Sequence, residues 1–239
     1  FSPYIKNLTD AVLSAGLEIE DMVPSPLMAA ASVLTPQQRE LGAAVIDIGA
    51  GTTGLAVYEE GDLIHTAVFP IGSDNITNDI AIGLRTEPDI AERVKIEFGT
   101  CSGVKGRKTK KIEGANGELV TFSESMLMHI IEARVREIFQ LVNKELKDIS
   151  KQGLLPGGIV LVGGGAKLPK IVESAKKDFK LTVRIGSVHG IISANTDPLF
   201  FGAMGLVVGG GESAYRGEGK GIGAGLVQKA KKIFRIFIP

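Results

Sequence analysis

The sequence predicts an α/β fold, and three observations carry that prediction. Residues 43–48, 54–59 and 62–69 are consecutive apolar or β-branched runs separated only by short glycine-containing turns, which reads as a three-stranded meander. Helical periodicity replaces this pattern from about residue 74 onward. A further apolar run, Ile159-Val160-Leu161-Val162, reads as a fully buried strand that opens through Gly163-Gly164-Gly165 toward another helix.

The elements follow in order. Ile5, Leu8, Val12 and Leu13 recur at helical spacing within residues 5–16, and Gly16 can end that helix. A short strand is expected next, then an Ala-rich helix over 27–34 with Pro24 and Pro26 at its start. Beyond the meander, residues 74–86 and 88–98 read as helices, the second opened by Pro88 and stopped by Gly99. Residues 100–118 are polar and basic, with Lys105, Arg107, Lys108, Lys110 and Lys111, and read as a solvated hairpin or loop. A long helix covers about 123–149. The glycine turn after Val162 leads to a helix over 168–179, a strand over 181–185 and a helix over 198–208. Eight of the seventeen residues in 209–225 are glycine, so a flexible tether rather than a packed element is expected there. It leads to a final helix over 226–238.

Composition narrows the function. The formal net charge is zero, so the chain is no polycation seeking nucleic acid, and any basic character is local. One cysteine, Cys101, excludes an internal disulfide framework and fits a reducing cytoplasm; it reads as an ordinary thiol. Neither a basic-apolar signal peptide nor a run long enough to span a bilayer is present in the sequence. The start at Phe1, without Met, marks the chain as an expected piece of a longer protein. His65, His129 and His189 lie far apart without metal-ligand spacing, and no nucleophile–base arrangement can be argued.

The chemistry concentrates around Asp47-Ile48-Gly49-Ala50-Gly51-Thr52-Thr53-Gly54. The glycines spell a literal G-x-G-x-x-G, but the dinucleotide fingerprint requires a helix directly afterwards. Here Leu55-Ala56-Val57-Tyr58 continues as a strand, so that reading fails. A hairpin turn of this composition can still hold phosphate: Gly49 and Gly51 allow close backbone approach, and Thr52 and Thr53 add hydroxyls. Asp47 at the strand end can hold a hydrated Mg²⁺. The competing reading is a tight turn beside a solvated aspartate. Glu92 and Lys95, three apart on one helix face, are either a ligand-facing pair or a surface ion pair.

The order of these pieces resembles the actin/Hsp70 superfamily and, within it, the FtsA family of bacterial division proteins. Asp47 through Thr53 is similar to the superfamily's second phosphate motif, and Val162-Gly163-Gly164-Gly165-Ala166 to its adenosine motif. Ala91-Glu92, Lys95 and Gly99 resemble the helix that meets ribose and base, and Gly72 through Ala81 the helix entry between the motifs. Ser32-Val33-Leu34-Thr35, Arg39-Glu40-Leu41-Gly42, Ile131 through Ile138 and Val183-Arg184-Ile185-Gly186 resemble FtsA more specifically.

The resemblance implies an actin-like ATPase fold with a ribonuclease H-like βββαβα core, incomplete because the first phosphate motif is missing. Residues 1–41 would be a remnant of subdomain IA with an interdomain helix. Residues 42–72 and 151–208 would be subdomain IIA, and 73–150 subdomain IIB. It implies ATP and Mg²⁺ as ligands, with Asp47, Gly49, Gly51, Thr52, Thr53, Gly72, Glu92, Lys95, Gly163, Gly164, Gly165 and Lys167 at the nucleotide and Asp47 on the metal through water. Binding by this piece alone is expected to be weak or absent. Ser25 stands where Hsp70-like proteins carry Glu, so at most weak ATPase activity is expected.

The implied partners are the C-terminal tail of FtsZ, placed on the long helix at Arg134 and Arg136, further copies in actin-like protofilaments, later division proteins, and an anionic membrane surface. The implied location is the cytoplasmic face of the membrane at the septum, as a peripheral protein. The last helix fits: Leu226, Val227, Ala230, Ile233, Phe234 and Phe237 fall on one side, and Lys229, Lys231, Lys232 and Arg235 on the other. Thirteen residues give only ~20 Å, too short to cross a bilayer. A PilM-like adaptor and an Hsp70-type ATPase chaperone are the alternatives.

Overall fold

The structure, a computed structural model, describes residues 2–19, 21–104, 106, 108–114, 117, 119–188 and 197–215, excepting the side chains of Ser2 and of 209–215. Helices α1 (Ser2–Ser14), α2 (Ser25–Val33) and α3 (Pro36–Leu41) precede strands β1 (Ala43–Ile48), β2 (Thr53–Glu59) and β3 (Asp62–Phe69). Then come α4 (Ser73–Leu84), α5 (Pro88–Phe98), the hairpin β4 (Thr109–Glu113) and β5 (Leu119–Ser123), and the long α6 (Glu124–Asp148). Strand β6 (Gly158–Val162), helix α7 (Ile171–Phe179), strand β7 (Val183–Ile185) and helix α8 (Phe201–Tyr215) complete the described chain.

The main sheet has five strands in the order β3-β2-β1-β6-β7. β1 pairs antiparallel with β2 and parallel with β6. Both faces of the sheet's centre are covered, which explains why β1, β2 and β6 read as continuous apolar runs rather than alternating ones. Ala44, Ile46, Ile48, Leu55, Val57, Ile159 and Leu161 face a core shared with α4, α5, α6 and α7. Their neighbours Ala43, Val45, Ala56, Tyr58, Val160 and Val162 face a second core with α2 and Phe201.

Several expectations are corrected. Among the described residues, no strand separates α1 from α2. Helix α3 was not anticipated, although its capping box is in the sequence: Thr35 Oγ1 accepts from the Gln38 N–H at 3.2 Å, and Gln38 Oε1 accepts from the Thr35 N–H at 3.3 Å. The helix expected from 168 begins at Ile171, because a 3-10 turn over Gly164–Lys167 comes first. The helix expected to stop at 208 runs to Tyr215, seven residues into the predicted tether. Once nucleated on the protein body a helix adds residues cheaply, and no proline interrupts this one. The rest of the tether and the terminal helix lie outside the described residues.

Candidate functional site

β1 and β6 run parallel with Asp47 opposite Val162, so the two glycine turns leave the sheet side by side at the strands' carboxyl ends. Open α/β sheets bind ligands at that edge. Within the first turn, the Gly49 N–H donates to the Thr52 carbonyl at 2.9 Å. The turn's own carbonyls point back at α4: those of Gly49 and Ala50 accept from the Ser73 and Asp74 N–H groups at 2.9 Å each. Gly51 and Thr52 are exposed, and among the described residues no hydrogen bond uses the N–H of Ala50, Gly51 or Thr52. Three successive backbone N–H groups without a protein acceptor among the described residues are the kind of donors that can hold an anion.

Asp47 lies between the turns. Its Oδ2 accepts from the Ser25 hydroxyl at 2.8 Å, and its Oδ1 lies against Gly163. Burial pushes the Asp47 carboxyl up, and the Ser25 hydrogen bond draws it partly back. Gly163 has φ +83°, and a Cβ there would stand 2.5 Å from both Asp47 Oδ1 and the Ile48 carbonyl, so only glycine fits. Gly54 is explained by packing: a Cβ would overlap the ring of Pro26 in α2.

Other predicted residues are placed as follows. Thr53 is 0% exposed, and its hydroxyl donates to the Ile71 carbonyl at 2.8 Å, so it ties β2 to the start of α4 rather than facing a ligand. Gly72 lets α4 dock on the turn, since a Cβ would overlap the Ala50 carbonyl. Gly165 lies against Ile48 in the same sense, and Gly164 is partly open beside Leu199. Lys167 is exposed and pairs with Asp197 at 2.6 Å.

The Glu92–Lys95 pair is not a surface pair. Lys95 is 7% exposed, and its Nζ donates to Glu92 at 2.6 Å, to Thr77 Oγ1 at 2.8 Å and to the Ser73 carbonyl at 3.2 Å. Thr77 also donates to Glu92. Burial raises the Glu92 carboxyl, but the hydrogen bonds from Lys95 and Thr77 and the Lys95 charge together hold it below the usual range. Glu92 keeps partial exposure; Lys95 has no donor to spare. Thr77 and Ser25 were absent from the predicted site. Ser25 enters only through the resemblance, at the position where Hsp70-like proteins carry Glu, and Thr77 is detectable as a polar residue beside the buried Ile76.

Arg134 grips Asp79 of α4 through Nε and Nη2 at 2.6 and 2.8 Å, and Glu137 through Nη1 at 2.6 Å. Arg136 pairs with Glu132 at 2.8 Å on an exposed face. Both are spoken for within the chain, and neither approaches the glycine turns. His65 meets Glu145 at 2.7 Å, and His129 Nδ1 lies 2.6 Å from the Ser125 carbonyl. Cys101 is buried, which pushes its thiol up to about 12. His189 and the predicted membrane-binding residues Lys229, Lys231, Lys232, Ile233, Phe234, Arg235 and Phe237 lie outside the described residues. Among the described residues, no helix is long and apolar enough to cross a membrane, and no group of three His, Cys, Asp or Glu side chains could hold a metal.

A family model described as Cell division protein FtsA matches residues 44–205. The Cell division protein FtsA of Pseudomonas aeruginosa is 38% identical over 212 residues, covering 86% of this chain and 51% of the relative. That of Bacillus subtilis is 39% identical over 207 residues, covering 85% and 46%. The chain thus spans about half the length of the curated relatives it matches. The crystal structure of MreB5 of Spiroplasma citri bound to ADP is similar with TM-score 0.72 at 21% identity, covering 89% of this chain and 67% of that one. The MamK double helical filament gives TM-score 0.59 at 16% identity, covering 80% and 59%. These structural likenesses show an actin-like ATPase fold. With the family model matching from β1 into α8 and relatives 38% and 39% identical over most of the chain, the chain belongs to the FtsA family of cell-division proteins.

Proposed function

We propose that this chain is the nucleotide-holding and membrane-directed part of an actin-like adaptor that tethers the FtsZ ring to the cytoplasmic face of the membrane at the septum and recruits later division proteins. Asp47, set between two glycine turns at the carboxyl ends of adjacent parallel strands, is the observation that carries this reading. In it, residues 42–72 and 151–208 form subdomain IIA, 73–150 form IIB, and copies join into protofilaments.

Mg²⁺ fits the donor set. It takes one or two carboxylates and completes its shell with water and phosphate oxygens rather than a protein cage. Asp47 supplies one carboxylate with no basic side chain paired to it among the described residues. When bound, the ion would neutralise phosphate charge. The N–H groups of Ala50, Gly51 and Thr52 would hold the phosphates, and Gly163 and Gly164 the nucleoside side. Ser25 already donates its proton to Asp47, and a hydroxyl is a poor base at neutral pH, so ATP serves as a structural ligand more than a fuel.

The test is an amide-resolved NMR titration of the 239-residue chain with ATP and Mg²⁺. Shifts at Gly51, Thr52 and Gly163 with a weak affinity, on the order of millimolar, are expected of a chain that spans about half the length of its relatives. Asp47→Ala abolishes the magnesium dependence. Shifts confined to other elements would sink the reading, and turnover of about one per second would remove the structural-ligand role.

A further inference from the structure

Ser25 is the first residue of α2, and its hydroxyl does not cap that helix: the N-cap position is Pro24, and no side-chain cap bond forms there. The hydroxyl goes to Asp47 Oδ2 instead, at 2.8 Å. Among the described residues it is the one side chain that hydrogen-bonds Asp47, while Gly163 closes the opposite side against Oδ1. The carboxylate is therefore located from both sides without a positive charge to neutralise it.

The donor itself is held firmly. Pro26 is wedged onto Gly54 of β2, where no Cβ could fit. Two residues on, the Met28 carbonyl sits on Gly205 of α8 so closely that a Cβ at 205 would overlap it. One turn further, the Ser32 hydroxyl donates to the Phe201 carbonyl at 2.9 Å. Helix α2 cannot slide along its axis without breaking these contacts, so the Ser25 hydroxyl stays at a fixed place relative to β1.

We propose that Ser25 is the positioning residue of this site: its hydroxyl fixes one oxygen of Asp47 so that the carboxylate meets a hydrated divalent cation and the nucleotide phosphates in a single orientation. This rests on the reading of the Asp47–Gly163 region as a magnesium–nucleotide site. A flexible carboxylate would lose rotamer freedom each time the ion arrived; one already oriented does not. Thr at position 25 can replace the function, and Ala cannot.

The experiment is the same amide-resolved titration with ATP, run with Mg²⁺ and again in EDTA, on wild type, Ser25→Ala and Ser25→Thr. In wild type, Mg²⁺ tightens binding about tenfold over EDTA. In Ser25→Ala most of that gain disappears, while the EDTA affinity stays within about twofold and the thermal midpoint falls no further than the loss of one hydrogen bond to a partly solvated carboxylate, since no cap is lost. Ser25→Thr restores the gain. Retention of the full magnesium gain in Ser25→Ala overturns the proposal, as does an equal loss with and without Mg²⁺ or a threonine that restores nothing. Wild-type amides that do not shift at all would overturn the reading of the site, and this inference with it; shifts that persist regardless of residue 25 would overturn the inference alone.

Discussion

Lys95 illustrates how little of a polar site's burial is visible in spacing. Glu92 and Lys95 are legible as a pair because they are three apart on a helix, but Thr77 and Ser73 come from α4, and no spacing in α5 announces them. Removing the ammonium leaves Thr77 and the Ser73 carbonyl short of a donor inside the α4–α5 contact. Lys95→Met is therefore expected to cost about 1–3 kcal/mol in urea unfolding, discounted because Glu92 is partly solvated. The pH dependence follows from Glu92. Its carboxyl is held below the usual range in the folded state, so its contribution is present above the unfolded pKa and lost as pH falls through the depressed folded one. The thermal midpoint should drop as pH falls below the ordinary glutamate range, and Glu92→Gln should flatten part of that slope. An unchanged acid limb in Glu92→Gln would show that the pair contributes nothing.

Arg134 and Arg136 lie two residues apart on α6 yet do different work between elements. Arg134 makes a two-pronged bond to Asp79 and so fastens the long helix to α4; its side chain is 24% exposed. The hydrogen bond it donates to Asp79 is the main reason its guanidinium holds its proton more tightly than usual. Charge-assisted bonds of this kind are worth about 1.5–3 kcal/mol, so Arg134→Ala should lower the thermal midpoint clearly. Arg136 makes one exposed pair within its own helix, and Arg136→Ala should stay within about 0.5 kcal/mol of wild type. If α6 receives the FtsZ tail, weakened binding by Arg136→Ala at unchanged stability is the informative result; equal stability of both variants would remove the fastening role of Arg134. The strands that flank the site were readable, since two-sided burial leaves uninterrupted apolar runs with glycine at their ends. Helix α3 was missed although Thr35-Pro36-Gln37-Gln38 carries its capping signal, because its residues are not themselves buried. The extent of α8 was misjudged for the opposite reason: glycine content speaks to propensity, whereas its seat on α2 is a tertiary contact.

At the scale of the whole molecule, α8 connects the site to the sequence that follows it. α8 is described as far as Tyr215, seven residues into the stretch expected to be a tether. α8 packs on α2, whose first residue reaches Asp47, so the proposed nucleotide site and the helix that precedes the proposed anchor in sequence belong to one helix pair. Lys229, Lys231, Lys232 and Arg235 could each contribute about 1 kcal/mol near anionic lipid, while Ile233, Phe234 and Phe237 supply apolar area. Flotation with anionic vesicles separates the two contributions. The wild-type chain should float, raised salt should weaken but not abolish flotation because the apolar face remains, and Phe234→Glu with Phe237→Glu should abolish it even at low salt. Equal flotation of the wild type and the double variant would mean that the apolar face does not insert, and the membrane-directed reading of this chain would fail with it.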